Sequence, residues 1–230
     1  MKQTIPGGFL LAIEGVDGAG KSAQVEAVSR ALRNRGLDCL VTREPTNGHW
    51  GRLIRDSALK GRLSPQEELK AFIEDRKEHV RDVIGPGLQA GRIVITDRYY
   101  FSTVAYQGAR GLDPDELLRL NESFAIEPHL LVVIDLHPET SLARIGNRDG
   151  VGNHFESLAQ LARSRQIYQS LKKPYLVCLD GQARPDDLRD AILVAFSRFA
   201  TAQIAAQAEL TPRQKLDAIF ALHGSPSIER

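Results

Sequence analysis

Residues 8–23 read GFLLAIEGVDGAGKSA: a strand, a glycine turn and the start of a helix. An apolar run ends at Glu14, glycines follow, and Lys21 and Ser22 lead into AQVEAVSRAL, whose apolar spacing is helical. The segment from Gly15 to Ser22 fits G-x-x-x-x-G-K-[ST] in that strand–helix setting. Glycines let backbone N–H groups converge on phosphate oxygens, and the helix N-terminus adds the positive end of its dipole. Lys21 supplies a point charge toward the outer phosphates, and the Ser22 hydroxyl can ligate Mg2+.

The rest of the chain bounds what such a loop can serve. With 230 residues, 42% of them hydrophobic, there is material for one well-filled core and no second full domain. A formal charge of +1 and the lack of any basic block give no sign of a nucleic-acid partner. Apolar runs such as HLLVVIDL are far too short to span a bilayer. The first residues read as a strand rather than a signal peptide, so a cytoplasmic protein is expected. Cys39 and Cys178 both sit in apolar, strand-like runs and are expected in the core. The histidines show no pair at metal-ligand spacing on one helix face, and no zinc site is expected.

Strand character recurs at 8–15, 37–44, 92–98, 130–136 and 175–180, rich in Val, Ile and Leu without clean alternation. Helical patterns fill the gaps at 21–35, 66–90, 114–124, 138–146, 156–173 and 185–203. This alternation predicts an α/β fold with a parallel sheet covered by helices. Residues 1–203 form the expected domain, and 204–230 a separate helical extension. Thr211, Pro212 and Gln214 there make a helix start with a capping box. Leu216, Ile219, Phe220 and His223 fall on one face, suited either to packing on the body or to a partner.

A second carboxylate is expected at the end of a neighbouring strand, where it can orient the metal. Asp97 and Asp135 both qualify by position. Arg98, directly after Asp97, favours the first, because an arginine at a strand's C-terminal end points into the ligand crevice of such sheets. A GTPase switch is excluded by the lack of any Asn-Lys-x-Asp string. Arg43, Arg76, Arg98, Arg144 and Arg148 are spare guanidinium forks, which suit a second phosphate-bearing substrate. Two phosphate sites imply phosphoryl transfer between nucleotides.

The stretches IEGVDGAGKSAQ, TREP, FIEDR, TDRYYFSTVAYQG and HFE stand in the order and spacing of bacterial thymidylate kinases, which the chain resembles over about residues 8–200. The resemblance implies a P-loop NTPase fold: a five-stranded parallel sheet, order 2-3-1-4-5, with a flexible lid at about 144–155. It implies transfer of the γ-phosphate of Mg-ATP to dTMP, giving dTDP and ADP, in a homodimer. A kinase of another monophosphate such as dUMP, or a weakly catalytic nucleotide-binding protein, is the alternative. ATP would lie on Gly15, Val16, Asp17, Gly18, Ala19, Gly20, Lys21 and Ser22, with Ser22 and Asp97 at the metal. Asp17 would hold the sugar 3′-hydroxyl, and Arg43 and Arg98 the dTMP phosphate. Phe72 would stack on thymine and Arg76 bond its carbonyl edge; the two are i and i+4 on one helix. Ser102 and Thr103 would lie beside the base, Tyr106 against the deoxyribose where a 2′-hydroxyl would sit, and Gln107 at the pocket wall.

Three departures from the family pattern stand out. TNGHWGR, with Trp50 and Arg52, replaces a short glycine-rich segment after TREP; NHFE, with Asn153 and His154, replaces a charged lid end; and the tail has no counterpart. Position 18 is glycine, so the phosphate loop offers no guanidinium there. The segment ARIGNRDGVGNHFE is then expected to supply it, with Arg148 nearest the γ-phosphate and Arg144 assisting; Lys21, Asp17 and Arg98 complete the expected catalytic set.

Overall fold

All five apolar runs become strands: β1 Phe9–Gly15, β2 Cys39–Arg43, β3 Ile93–Asp97, β4 Leu130–Asp135 and β5 Leu176–Asp180. They form one parallel sheet in the order β2-β3-β1-β4-β5. The computed structural model describes residues 2–60, 63–149 and 154–223, without the side chains of 58–60, 147–149 and 154–157. Every residue of β1 is buried, which explains its unbroken apolar run: helices cover both faces of the central strand. β1 lies between β3 and β4, so the strand order reverses there and opens a crevice beyond its C-terminal end. Register aligns Ile13 and Arg43 with Asp97, which brings Glu14, Arg43, Asp97 and Arg98 to that same end.

Helices α1 Lys21–Asn34, α6 Pro114–Glu122, α7 Pro138–Asp149, α8 His154–Ser170 and α9 Pro185–Ala206 match expected patterns. Two helices do not: α2 His49–Lys60 and α5 Tyr100–Ala109. The expected single helix over 66–90 is instead α3 Pro65–His79, a π-turn Val80–Ile84 and a short α4 Gly85–Gln89. Pro86 has no N–H to continue the α ladder, and the Gly85 N–H reaches back to the Val80 carbonyl, the longer spacing of a π-turn. α3 itself starts on a full capping box between Ser64 and Glu67.

α9 runs past the expected boundary at 203 to Ala206, and α10 Pro212–His223 packs back on it. The Thr211–Gln214 capping box forms as expected. The buried face of α10 is rotated from the expected one: Leu222 is buried with Ile219 packed beside it, whereas Leu216 and Phe220 are exposed. Cys39 is buried, but Cys178, expected in the core, is exposed on β5, one of the two edge strands of the sheet.

Candidate active site

The phosphate loop is shaped by what lies behind it. Gly15 has φ 139° and Gly18 φ 76°; a Cβ at either would collide with a backbone carbonyl, of Ile134 and Ser141 respectively. The Ser141 hydroxyl donates to the Asp17 carbonyl, and Arg144 Nη1 donates to the Gly18 carbonyl at 3.3 Å while its Nη2 reaches Gly181 at 3.2 Å. α7 therefore rests directly on the loop. Lys21, 6% exposed, donates to the Val16 carbonyl at 2.8 Å. Burial, helped by the nearby Arg98 charge, pushes its ammonium down to about 8, against the pull of Asp17, Asp97 and Glu14.

The Ser22 hydroxyl donates to Asp97 Oδ2, and Asp97 Oδ1 is buried without a hydrogen-bond partner. A hydroxyl beside a carboxylate with an unpaired buried oxygen fits a hard cation such as Mg2+. Among the described residues no group of three or more His, Cys, Asp or Glu is placed to hold a metal, so such an ion would draw its other ligands from phosphate and water. Asp135 offers no comparable site: Arg165 bonds both its oxygens, at 2.6 and 2.8 Å.

Beside the loop lies a cavity of about 170 Å3, lined by Asp17, Phe72, Arg76, Arg98, Ser102, Thr103, Tyr106 and Gln107, with Glu44 and Glu68 among its remaining walls. Eight of the nine residues expected at the acceptor nucleotide thus share one space. The ninth, Arg43, bonds Asn47 at 3.3 Å and lines a separate, larger groove of about 730 Å3 with Ser22 and Asp97. Trp50, on α2, packs edge-on to His49 and does not line the acceptor cavity. The substituted loop around it is anchored by Asp75, which accepts from Thr46 N at 2.8 Å and Thr46 Oγ1 at 2.6 Å. Arg148, Asn153 and His154 lie outside the described side chains.

Arg76 is buried and bound on three sides. Its Nε and Nη2 donate to Glu44 Oε2 at 3.0 and 2.6 Å, Nη2 also to Thr103 at 3.0 Å, and Nη1 to Asn121 at 2.5 Å. Burial alone would raise the Glu44 carboxyl, but Arg76 and His79 outweigh it and hold it below the usual range. His79 continues the chain, with Nδ1 3.0 Å from Glu44 and Nε2 2.7 Å from Thr42.

A second network surrounds Arg98, which stands at φ 69°, a backbone region unfavourable to a side chain. It donates to Asp17 at 2.5 Å and to Ser102 at 3.0 Å, with its guanidinium 5.3 Å from the Tyr106 ring centre. Tyr106 donates to the other Asp17 oxygen at 3.1 Å. Behind them is Glu14, fully buried. It accepts from Tyr99 N at 2.7 Å, Ser102 N at 3.0 Å, Ser102 Oγ at 2.6 Å and Tyr168 OH at 2.8 Å. Burial raises its carboxyl above the usual range against those bonds and the Arg98 charge.

Reading the residues alone passes over Glu14, Glu68, Asn121 and Tyr168. Only Glu68 carries a usable signal: Glu68, Phe72 and Arg76 are i, i+4 and i+8 on α3, so one more helical step from the expected pair reaches it.

A phosphate loop at the switch point of this sheet, whose Asp17 also lines a second polar cavity and pairs there with Arg98, belongs to the P-loop nucleoside-monophosphate kinases, which move phosphate from ATP. A family model for thymidylate kinase matches residues 13–192. The chain is 45% identical over 191 residues to a thymidylate kinase of Xylella fastidiosa (strain M23), covering 83% of this chain and 88% of that protein. It is 46% identical over 196 residues to one of Xanthomonas campestris pv. campestris (strain B100), covering 85% and 86%. It is 48% identical over 193 residues to one of Xanthomonas oryzae pv. oryzae (strain PXO99A), covering 83% and 85%. The chain belongs to the thymidylate kinase family.

Proposed function

We propose that the protein transfers the γ-phosphoryl group of ATP to dTMP, giving dTDP and ADP. The observation that carries this is the Asp17–Arg98 ion pair in the acceptor cavity: Asp17 is itself a residue of the phosphate loop, so the two sites meet there. ADP release from ATP should be fastest with dTMP among dTMP, dUMP, UMP and CMP; a preference for UMP or CMP would overturn the assignment.

In this reading the acceptor phosphate oxygen is already anionic and needs no general base, so the chain's task is positioning and charge. Lys21 neutralises charge on the transferred group. Arg98 and Arg43 hold the acceptor phosphate, Arg144 with Arg148 covers the γ-phosphate, and Asp17 orients the sugar and Arg98. Phe72 stacks on the base, Arg76 donates to its carbonyl edge, Ser102, Thr103 and Gln107 complete the wall, and Tyr106 crowds a 2′-hydroxyl. Mg2+ arriving with ATP would be held by Ser22 and Asp97 and would offset phosphate charge. The family supports a cytoplasmic homodimer; among the described residues no helix is long and apolar enough to cross a membrane. In the extension, α10 serves packing rather than chemistry, with Leu222 as its anchor.

The depressed Lys21 ammonium gives a pH signature. At about 8, against an ordinary 10.5, Lys21 is largely neutral above pH 8 in the nucleotide-free protein. Phosphate oxygens favour its charged form, so ATP binding between about pH 8 and 10 should take up a proton and weaken as pH rises, with no such linkage below about pH 7. Calorimetry in buffers of different ionisation heat reads the proton directly. Equal heats at pH 9 would remove Lys21 from the phosphates.

A further inference from the structure

Gln107, 1% exposed on α5, lines the acceptor cavity. Its Nε2 donates to Glu68 Oε2 at 2.9 Å, while its Oε1 is buried with no hydrogen-bond partner. Which end of the amide faces Glu68 is dictated by chemistry. An ionised carboxylate only accepts, so it takes the amide's NH2 and turns the carbonyl oxygen elsewhere. Glu68 is 6% exposed and ion-paired with Arg110. Of the residues lining the cavity, Gln107 thus keeps an unpaired carbonyl acceptor, and Arg76 is a donor-only guanidinium.

We propose that Glu68, with Arg110 behind it, is a positioning residue for base selectivity: it fixes the Gln107 amide so that its carbonyl oxygen faces the nucleobase. This rests on the reading of the cavity as the base site. A 4-keto pyrimidine offers an acceptor oxygen at C4 and a donor N3–H, which complement Arg76 and Gln107. A 4-amino pyrimidine offers the reverse at both atoms, so it meets donor with donor and acceptor with acceptor. A buried mismatch of that kind discriminates far more strongly than shape does.

The test uses the full chain and measures kcat and KM for dTMP, and turnover or competitive inhibition for dCMP. In Glu68→Gln the amide at 107 can turn either way. The preference for dTMP over dCMP should fall by about tenfold or more, carried by KM and Ki with kcat little changed. In a Gln107→Leu background, Glu68→Gln should have no further effect on that preference. A merely structural role for Glu68 would lower the melting temperature without moving the ratio. Where Glu68→Gln alone unfolds because Arg110 loses its counter-charge, the pair Glu68→Gln/Arg110→Gln carries the same test. If Gln107→Leu lowers the preference and Glu68→Gln leaves it unchanged, the positioning role is wrong. If Gln107→Leu itself changes neither the preference nor the KM for dTMP, the base-site reading fails and the proposal with it.

Discussion

Lys21→Ala should lower kcat by about 10²–10³ with the fold intact, the usual cost of losing one preorganised charge contact at a transferring group. The side chain is ready for that work before ATP arrives: Nζ is buried, fixed on the Val16 carbonyl and one residue from Ser22. Burial lowers its ammonium, so the fold holds this charge at a cost that phosphate oxygens would relieve in the proposed mechanism. Removing the charge therefore spares the folded protein a desolvation penalty, and the melting temperature should not fall. Steady-state rates and a thermal melt on the same sample check both parts; near-normal turnover would take the phosphate loop out of the mechanism.

Arg98→Ala should be at least as damaging, with kcat/KM down by about 10³ or more, because in the proposed mechanism the guanidinium that bonds the Asp17 carboxylate also holds the acceptor phosphate. A paired variant separates chemistry from backbone. At φ 69° a Cβ costs about 1 kcal/mol that glycine avoids. Arg98→Gly should match Arg98→Ala in lost activity yet be more stable than it by about 1 kcal/mol in urea denaturation. The native residue thus accepts backbone strain where the proposed mechanism needs its guanidinium, a trade found at working sites rather than in cores. Equal stability of the two variants would show that the left-handed turn relaxes once the arginine is gone. Activity within tenfold of wild type would remove Arg98 from the phosphate.

The sheet was legible because buried parallel strands leave unbroken Val, Ile and Leu runs, and the phosphate loop because its chemistry forces glycine and lysine at fixed spacing. α2 was not legible: Gly48 and Gly51 read as loop, whereas Asp75, from α3, anchors the turn ahead of it. α5 was not legible either. Its first turn is aromatic and its N-cap, Tyr99, makes no side-chain cap, because the acceptor for those N–H groups is Glu14 on β1. Among site residues, Phe72 and Arg76 follow helical spacing. Asn121, on α6, meets Arg76 only through the fold. Sequence periodicity reports which face of an element is buried, and says nothing of which distant carboxylate or amide completes a network.

The reach of Glu14 to α5 also bears on the order in which the chain assembles. Its bond to Tyr99 N spans 85 positions, so α5 has no cap until β1 and β3 are side by side. Such a long closure must be made before it is rewarded. Helix α3, with Ser64 and Glu67 capping each other across three positions, can flicker into existence at once. We infer that α3 is a nascent element of the unfolded ensemble and α5 a late one. Pulse-labelled amide exchange during refolding should protect the first turn of α5 no earlier than β1; protection of α5 ahead of β1 would refute this. The acceptor wall that α5 carries would then be completed only after the phosphate loop is in place, so a partly folded chain would meet ATP before it could meet dTMP.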